Sequence, residues 1–177
     1  MIITLSGMPG SGKSTVGRAL AERLGYRFYS MGDLRGKLAM DRGMTIDEFN
    51  ALGERERWTD DVIDGHQREL GTREDNFVID SRLAYHFIPH SFKVFLDVDP
   101  DIGARRILGE HRPDEPPGKT VAETREALKD RTASDSRRYH KLYHITFPDR
   151  ARHDLVIDTS TLSAEEIVKT ILTKIKP

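Results

Sequence analysis

The residues in this chain best suited to phosphate chemistry lie near its start. Gly7, Gly12, Lys13 and Ser14, inside GMPGSGKS, fit the phosphate-loop (Walker A) pattern G-x-x-x-x-G-K-[ST]. Glycines let a backbone wrap a β-phosphate with its N–H groups pointing inward, and a helix starting there adds a favourable dipole. The run Gly7, Met8, Pro9, Gly10, Ser11, Gly12, Lys13, Ser14 and Thr15 is therefore expected to hold a nucleoside triphosphate. Lys13 is expected to reach the β- and γ-phosphates, Ser14 to hold Mg²⁺ through its hydroxyl, and Thr15 to touch the α-phosphate. A chance glycine-rich turn is the bland alternative. The apolar run IITLS before the motif and a helical pattern over residues 13–24 after it argue against that alternative.

The motif does not say where the terminal phosphoryl group goes. Three other stretches bear on that. YSMGDLR places Ser30 at a strand end and Arg35 five residues later. FVIDSRL is an apolar strand ending in Asp80, with Arg82 just beyond it. Strand C-termini in an α/β sheet face the ligand crevice, so Asp80 and Arg82 should look into the site. A set of arginines then follows the fourth apolar run: Arg105, Arg106, Arg112, Arg131, Arg137 and Arg138.

These residues need a frame. Apolar runs at residues 2–6, 26–30, 77–80, 92–97 and 155–158 read as strands. Most are nearly continuous in Ile, Val, Leu and Phe, as in a parallel sheet buried on both faces. Helical patterns separate them, which predicts the α/β class: a three-layer phosphate-loop NTPase fold with a five-stranded parallel sheet. In the first helix Val16, Ala19, Leu20 and Leu24 share a face, and Gly25 stops it. Helices are expected at 33–42, 45–52 and 58–70, making residues 31–76 a helical insert between the second and third strands. Ser163 and Glu166 form a capping box for the last helix. The proline-rich stretch HRPDEPPGK reads as a mobile loop, since nothing in it could pack a core.

A length of 177 residues suits one domain, and the formal charge of −1 gives no reason to expect a nucleic-acid partner. The chain has no cysteine, so disulfides and thiolate metal sites are excluded. The apolar runs are strand-sized, well short of the roughly 20 residues of a membrane helix. The N-terminus enters IITLS without a basic n-region or cleavage site, so no signal peptide is expected. A cytoplasmic monomer acting on small-molecule nucleotides is the expectation.

GMPGSGKST, YSMGDLR, DSRLAYH and RTASDSRRYHKLY together resemble the nucleoside monophosphate kinases, and among them cytidylate kinase in its compact form. The last segment carries R-x-x-x-D-x-x-R at Arg131, Asp135 and Arg138, followed by an R-Y-x-x-L-Y run. The resemblance runs nearly end to end. It implies that residues 31–76 bind the monophosphate, that residues 106–135 form a lid, and that MgATP with CMP or dCMP gives ADP and the diphosphate. Two polyphosphates repel by roughly 4 kcal/mol per unit-charge pair at an effective dielectric near 20, and planar guanidinium groups suit the task of cancelling that. Arg35, Arg82 and Arg138, with Ser30 and Asp135, are read as the acceptor site. Arg131, with Arg106 or Arg112, is read as covering the transferring phosphoryl. Asp135 is expected to orient its arginines and reach the acceptor's ribose, and Asp80 to bind a Mg²⁺ water or polarise the attacking oxygen. Ser81 stands where the family usually has Gly, and the lid tip HRPDEPPGKT is longer than usual.

Other residues carry plainer readings. Arg105, Arg125 and Arg137 are expected to be solvated helix charges, and Asp97 and Asp99 cap or turn residues. Asp64 and Gln67 either read a base edge or form a solvated face. His140 and His144 share a helix face without a visible third ligand, so no metal site is expected. Trp58, Tyr85, Phe87 and Tyr139 are expected to pack. The alternatives to this activity are an adenylate-, shikimate- or gluconate-type kinase on the same scaffold, a regulatory NTPase, and a binding-only pseudokinase. No N-K-x-D guanine reader supports the second, and intact Lys13, Ser14 and Asp80 oppose the third.

Overall fold

The computed structural model describes residues 1–109 and 120–175. The loop HRPDEPPGK and Arg112 therefore lie outside the described residues. Five strands, β1 (Ile2–Gly7), β2 (Arg27–Ser30), β3 (Phe77–Asp80), β4 (Phe92–Asp97) and β5 (Leu155–Asp158), form one sheet in the order β2-β3-β1-β4-β5. Every pairing is parallel. Eight helices are described: α1 (Lys13–Leu24), α2 (Met31–Met40), α3 (Ile46–Gly53), α4 (Trp58–Arg73), α5 (Ala84–Phe87), α6 (Pro100–Gly109), α7 (Val121–Tyr143) and α8 (Ala164–Ile175).

The period-2 alternation of the strands divides the core. Ile3, Leu5, Val78, Val94 and Leu96 face one side, where Val16, Leu20, Ile167 and Ile171 of α1 and α8 cover them. Ile2, Phe77 and Ile79 face the other, against Met31, Ile63 and Leu70 of the insert. Phe95 anchors a third cluster with Tyr85, Tyr139, Ile145 and Phe147, which fixes α7 across the sheet. The strands are apolar on both faces because both faces are covered.

Departures from the expected boundaries are small and have local causes. Helix α2 starts at Met31, not residue 33, because the Ser30 hydroxyl accepts from Asp33 N at 3.1 Å and caps the first turn. Strand β1 runs one residue further, to Gly7, and β2 begins one residue later. The Ser163–Glu166 capping box is present, with Ser163 N donating to Glu166 at 2.8 Å. Asp99 caps α6, accepting from Asp101 N at 2.9 Å.

Strand register sets the crevice. Ser30 pairs with Asp80 and Leu5 with Asp80, so β2 and β3 end together, while β1 runs on to Gly7 beside Leu96 of β4 and carries the loop past them. The phosphate loop springs from the central strand at that edge. Gly10 (φ 74°) and Gly12 (φ 83°) take left-handed conformations there. Helix α6 presses against the loop through Gly103, where a Cβ would stand 2.9 Å from Pro9 O. Gly103→Ala is predicted to push the loop out of shape and weaken ATP binding on the order of tenfold, the cost of mild overpacking at one contact. Calorimetric titration with ATP checks this; unchanged affinity contradicts it.

Candidate active site

The loop presents its anion-binding face without competition from its own side chains. Helix α1 has Gly12 at its N-cap and no side-chain hydrogen bond caps its first turn, the kind of helix start that suits an anion. Met8 N bonds Leu96 O at 3.0 Å and tethers the loop to β4. The Lys13 ammonium donates to Met8 O at 2.7 Å and so lies along the loop. Ser14 donates to Asp80 at 2.6 Å, joining the helix start to the end of β3. A hydroxyl beside a carboxylate is an oxygen pair suited to a hard cation, so these two residues fit the Mg²⁺ that a nucleotide kinase implies.

Across the cleft lies a buried charge cluster assembled from four segments. Arg138 of α7 donates to Asp135 at 2.8 Å and to Asp60 at 3.1 Å. Arg82 Nε stands 2.5 Å from the other Asp135 oxygen, and its Nη1 donates to Gly7 O at 3.3 Å. Arg35 of α2 donates to Asn50 at 2.8 Å, to Thr59 O at 3.2 Å and to Asp60 at 3.4 Å. Arg131 lines the same cleft one turn before Asp135. Among the described residues, Arg35 Nη2 and Arg138 Nη1 are buried in this cluster without a hydrogen-bond partner, as is Asp135 Oδ2.

The cluster sets its own protonation. Burial opposes charge on Asp135, but Arg82, Arg138, Arg131 and Arg35 outweigh it and hold the carboxyl below its usual range. Burial, then repulsion from Arg138, lowers Arg35 from its ordinary value. Burial acts the same way on Arg138, but neighbouring Tyr139, Asp135 and Asp60 outweigh it and raise that group. One Asp135 oxygen accepts from Arg138 and the other stands in ion-pair contact with Arg82, an arrangement that orients both guanidinium groups.

Helix α4 contributes a polar row. Asp60, Asp64 and Gln67 recur at helical spacing and all line the cleft. Their exposures are 5%, 5% and 1%, which excludes the solvated-face reading of Asp64 and Gln67. Asp64 accepts a short hydrogen bond from the Tyr143 hydroxyl. Burial pushes the Asp64 carboxyl up to about 6, with the Tyr143 bond pulling the other way.

Of the expected residues, Pro9, Gly10, Gly12, Lys13, Ser14, Thr15, Ser30, Arg35, Asp80, Arg82, Arg106, Arg131, Asp135 and Arg138 all line one cleft. Gly7, Met8 and Ser11 support the loop from behind. Arg106 is tied down, donating to Thr159 O at 2.7 Å and to Gly10 O at 3.4 Å, so it braces the loop against the segment after β5. Arg105 is exposed, and Arg125 and Arg137 form exposed pairs with Asp101 and Glu54. The His140 and His144 rings pack edge to face, and among the described residues no group of three or more metal-ligating side chains occurs. Tyr85 packs against His153 in the third core cluster. Asn50, Thr59 and Asp60 were not anticipated. The sequence signal for Asp60 was its place in the Asp60–Asp64–Gln67 row on an otherwise core-facing helix.

A profile of the cytidylate kinase-like family matches residues 2–161. A cytidylate kinase from Archaeoglobus fulgidus is 35% identical over 173 residues, covering 97% of this chain and 93% of that protein. One from Methanocella arvoryzae is 39% identical over 167 residues, covering 94% and 92%. Among solved structures, shikimate kinase from Bacteroides thetaiotaomicron superposes with a TM-score of 0.68 at 20% identity, covering 99% of this chain and 98% of that one, which is a likeness of fold.

The raised Asp64 carboxyl makes a signed stability prediction. Between an ordinary value of 3.8 and about 6, folded Asp64 keeps a proton that the unfolded chain has released, so its ionisation destabilises the fold as pH rises through that window. Asp64→Asn removes this term and can still accept from Tyr143. Its stability advantage over the parent is predicted to grow from pH 4 to pH 6.5 and then level at roughly 3 kcal/mol or somewhat less. Urea denaturation across that range checks it; a pH-independent difference contradicts it.

Proposed function

The chain belongs to the cytidylate kinase-like family, and we propose that it transfers the γ-phosphoryl group of ATP to a nucleoside monophosphate, with CMP or dCMP as acceptor. One observation carries the acceptor half of this reading: Arg35 and Arg138 line the same cleft as the phosphate loop, and each keeps one buried guanidinium nitrogen, Nη2 and Nη1, without a hydrogen-bond partner among the described residues. A buried N–H without a partner costs free energy, so a site that keeps two of them, each on a cation, is built to receive an anion. A nucleotide 5′-phosphate supplies oxygens for both.

The chemistry then follows from placement. The loop amides and Lys13 hold the donor's β- and γ-phosphates. Arg35 and Arg138, with Arg82 alongside, hold the acceptor phosphate. One of its oxygens attacks the γ-phosphorus in line as the bond to the β-phosphate oxygen breaks, giving ADP and the nucleoside diphosphate. Ser14 and Asp80 are the residues that would hold Mg²⁺, which would supply charge neutralisation on the donor oxygens. The transition state is loose, so positioning and charge cancellation supply most of the rate. No nucleophilic side chain takes part. Residues 31–76 serve as the monophosphate-binding insert in this reading, and residues 106–135 as the lid, part of which lies outside the described residues.

Two variants in a coupled ADP-release assay test the assignment. Lys13→Ala is predicted to lower kcat on the order of 100- to 1000-fold, the usual cost of losing one group that stabilises transition-state charge. Arg35→Met is predicted to raise the KM for CMP by roughly 10- to 100-fold, from the loss of charged hydrogen bonds, while the KM for MgATP stays within a factor of about three. An unchanged CMP KM in Arg35→Met places the acceptor elsewhere, and ADP release that needs no acceptor ends the kinase reading.

A further inference from the structure

We propose that Ser81 is a positioning residue that fixes the Gln67 carboxamide, so that Gln67 and Asp64 together read a 4-aminopyrimidine base and reject a 4-oxopyrimidine. This rests on the nucleoside monophosphate kinase reading above and names what selects the base.

Ser81 lies just past the end of β3 and is 7% exposed. Its hydroxyl oxygen is 2.6 Å from Gln67 Oε1 and accepts from Leu83 N at 3.3 Å. The hydroxyl gives its one proton to the Gln67 carbonyl. Gln67 Oε1 is therefore turned to Ser81, and the Nε2 amino group is turned the other way. That group has no hydrogen-bond partner among the described residues, and Gln67 lines the cleft. A glycine at position 81 would supply no such anchor, and the amide could turn over.

Asp64 completes the pattern. It precedes Gln67 by three residues on α4, so the two side chains share a face. One carboxylate oxygen is engaged by the Tyr143 hydroxyl, and the side chain lines the cleft. A hydrogen-bond acceptor thus stands beside a donor. The Watson–Crick edge of cytosine offers a donor, the 4-amino group, beside an acceptor, N3. Uracil offers the reverse, with O4 accepting and N3–H donating. Cytosine satisfies both side chains, and uracil opposes both.

The spacing agrees with the phosphate position. Asp60, which pairs with Arg35 and Arg138 at the anion site, precedes Gln67 by seven residues, about 10 Å along the helix axis. That separation suits a nucleotide lying along α4, with its phosphate at one end and its base at the other. Ile63 and Leu83, also in the cleft wall, offer apolar surface for a ring.

The test compares CMP and UMP as acceptors for the full chain at pH 7.5 with saturating MgATP, in the parent, Ser81→Ala and Gln67→Glu. The parent is expected to favour CMP in kcat/KM on the order of 100-fold, since a mismatched base leaves buried polar groups unpaired. Ser81→Ala is expected to shrink that ratio about tenfold or more, largely by raising kcat/KM for UMP, with the KM for MgATP unchanged. Gln67→Glu keeps the shape but replaces the donor with an acceptor, and is expected to lower kcat/KM for CMP by roughly 30-fold or more. Circular dichroism and the MgATP KM confirm that each variant is folded. Equal use of CMP and UMP by the parent overturns the proposal and leaves the kinase reading standing, as does a Ser81→Ala ratio equal to the parent's. Phosphorylation of neither acceptor overturns both.

Discussion

Two buried carboxylates, Asp60 and Asp135, hold three guanidinium groups in place away from bulk water, and the candidate site depends on that cluster. Charges leave water only with compensation, and each arginine here obtains it from an acid supplied by another part of the chain. Arg35 comes from α2, Asp60 from α4, Arg82 from the end of β3, and Asp135 and Arg138 from α7. Removing either carboxylate would strand buried cations, a change that typically costs 3–5 kcal/mol. The cluster therefore also acts as a clasp, binding the helical insert to the sheet and to α7.

The cluster is not fully hydrogen-bonded. Among the described residues, Arg35 Nη2, Arg138 Nη1 and Asp135 Oδ2 are buried in it without a hydrogen-bond partner. In the proposed reading an acceptor phosphate would supply partners for those desolvated donors. The donor side follows the same logic with backbone groups. Glycines at positive φ shape the loop, α6 packs against it at Gly103, and Arg106 braces it against Thr159. Packed elements thus hold the loop and the arginine cluster on the walls of one cleft.

Much of this was legible in the amino-acid sequence. Three of the five strands, and the helix over residues 13–24, have the expected bounds, because continuous apolar runs and glycine stops are strong local signals. The resemblance read from YSMGDLR, DSRLAYH and the R-x-x-x-D-x-x-R spacing led to the family that the wider comparison shows. What stayed hidden were the partners. Nothing near Arg35 in the chain announces Asn50 or Asp60, since those contacts span 15 and 25 residues. Arg106 reads as a lid charge until the fold brings the segment after β5 beside it. Asp64 and Gln67 were ambiguous because burial of a polar helix face is decided by what packs above it, here Tyr143 of α7, 79 residues away from Asp64. Ser81 stood out as unusual, but its meaning required the 2.6 Å contact with Gln67.

The most direct test is a crystal structure with a bisubstrate analogue, two nucleosides joined through a polyphosphate. The donor-side phosphates are expected in the Gly7–Ser14 loop, with acceptor-side phosphate oxygens within hydrogen-bond distance of both Arg35 Nη2 and Arg138 Nη1. An analogue bound with those two nitrogens still partnerless, or with its second phosphate group outside the cluster, would contradict that placement.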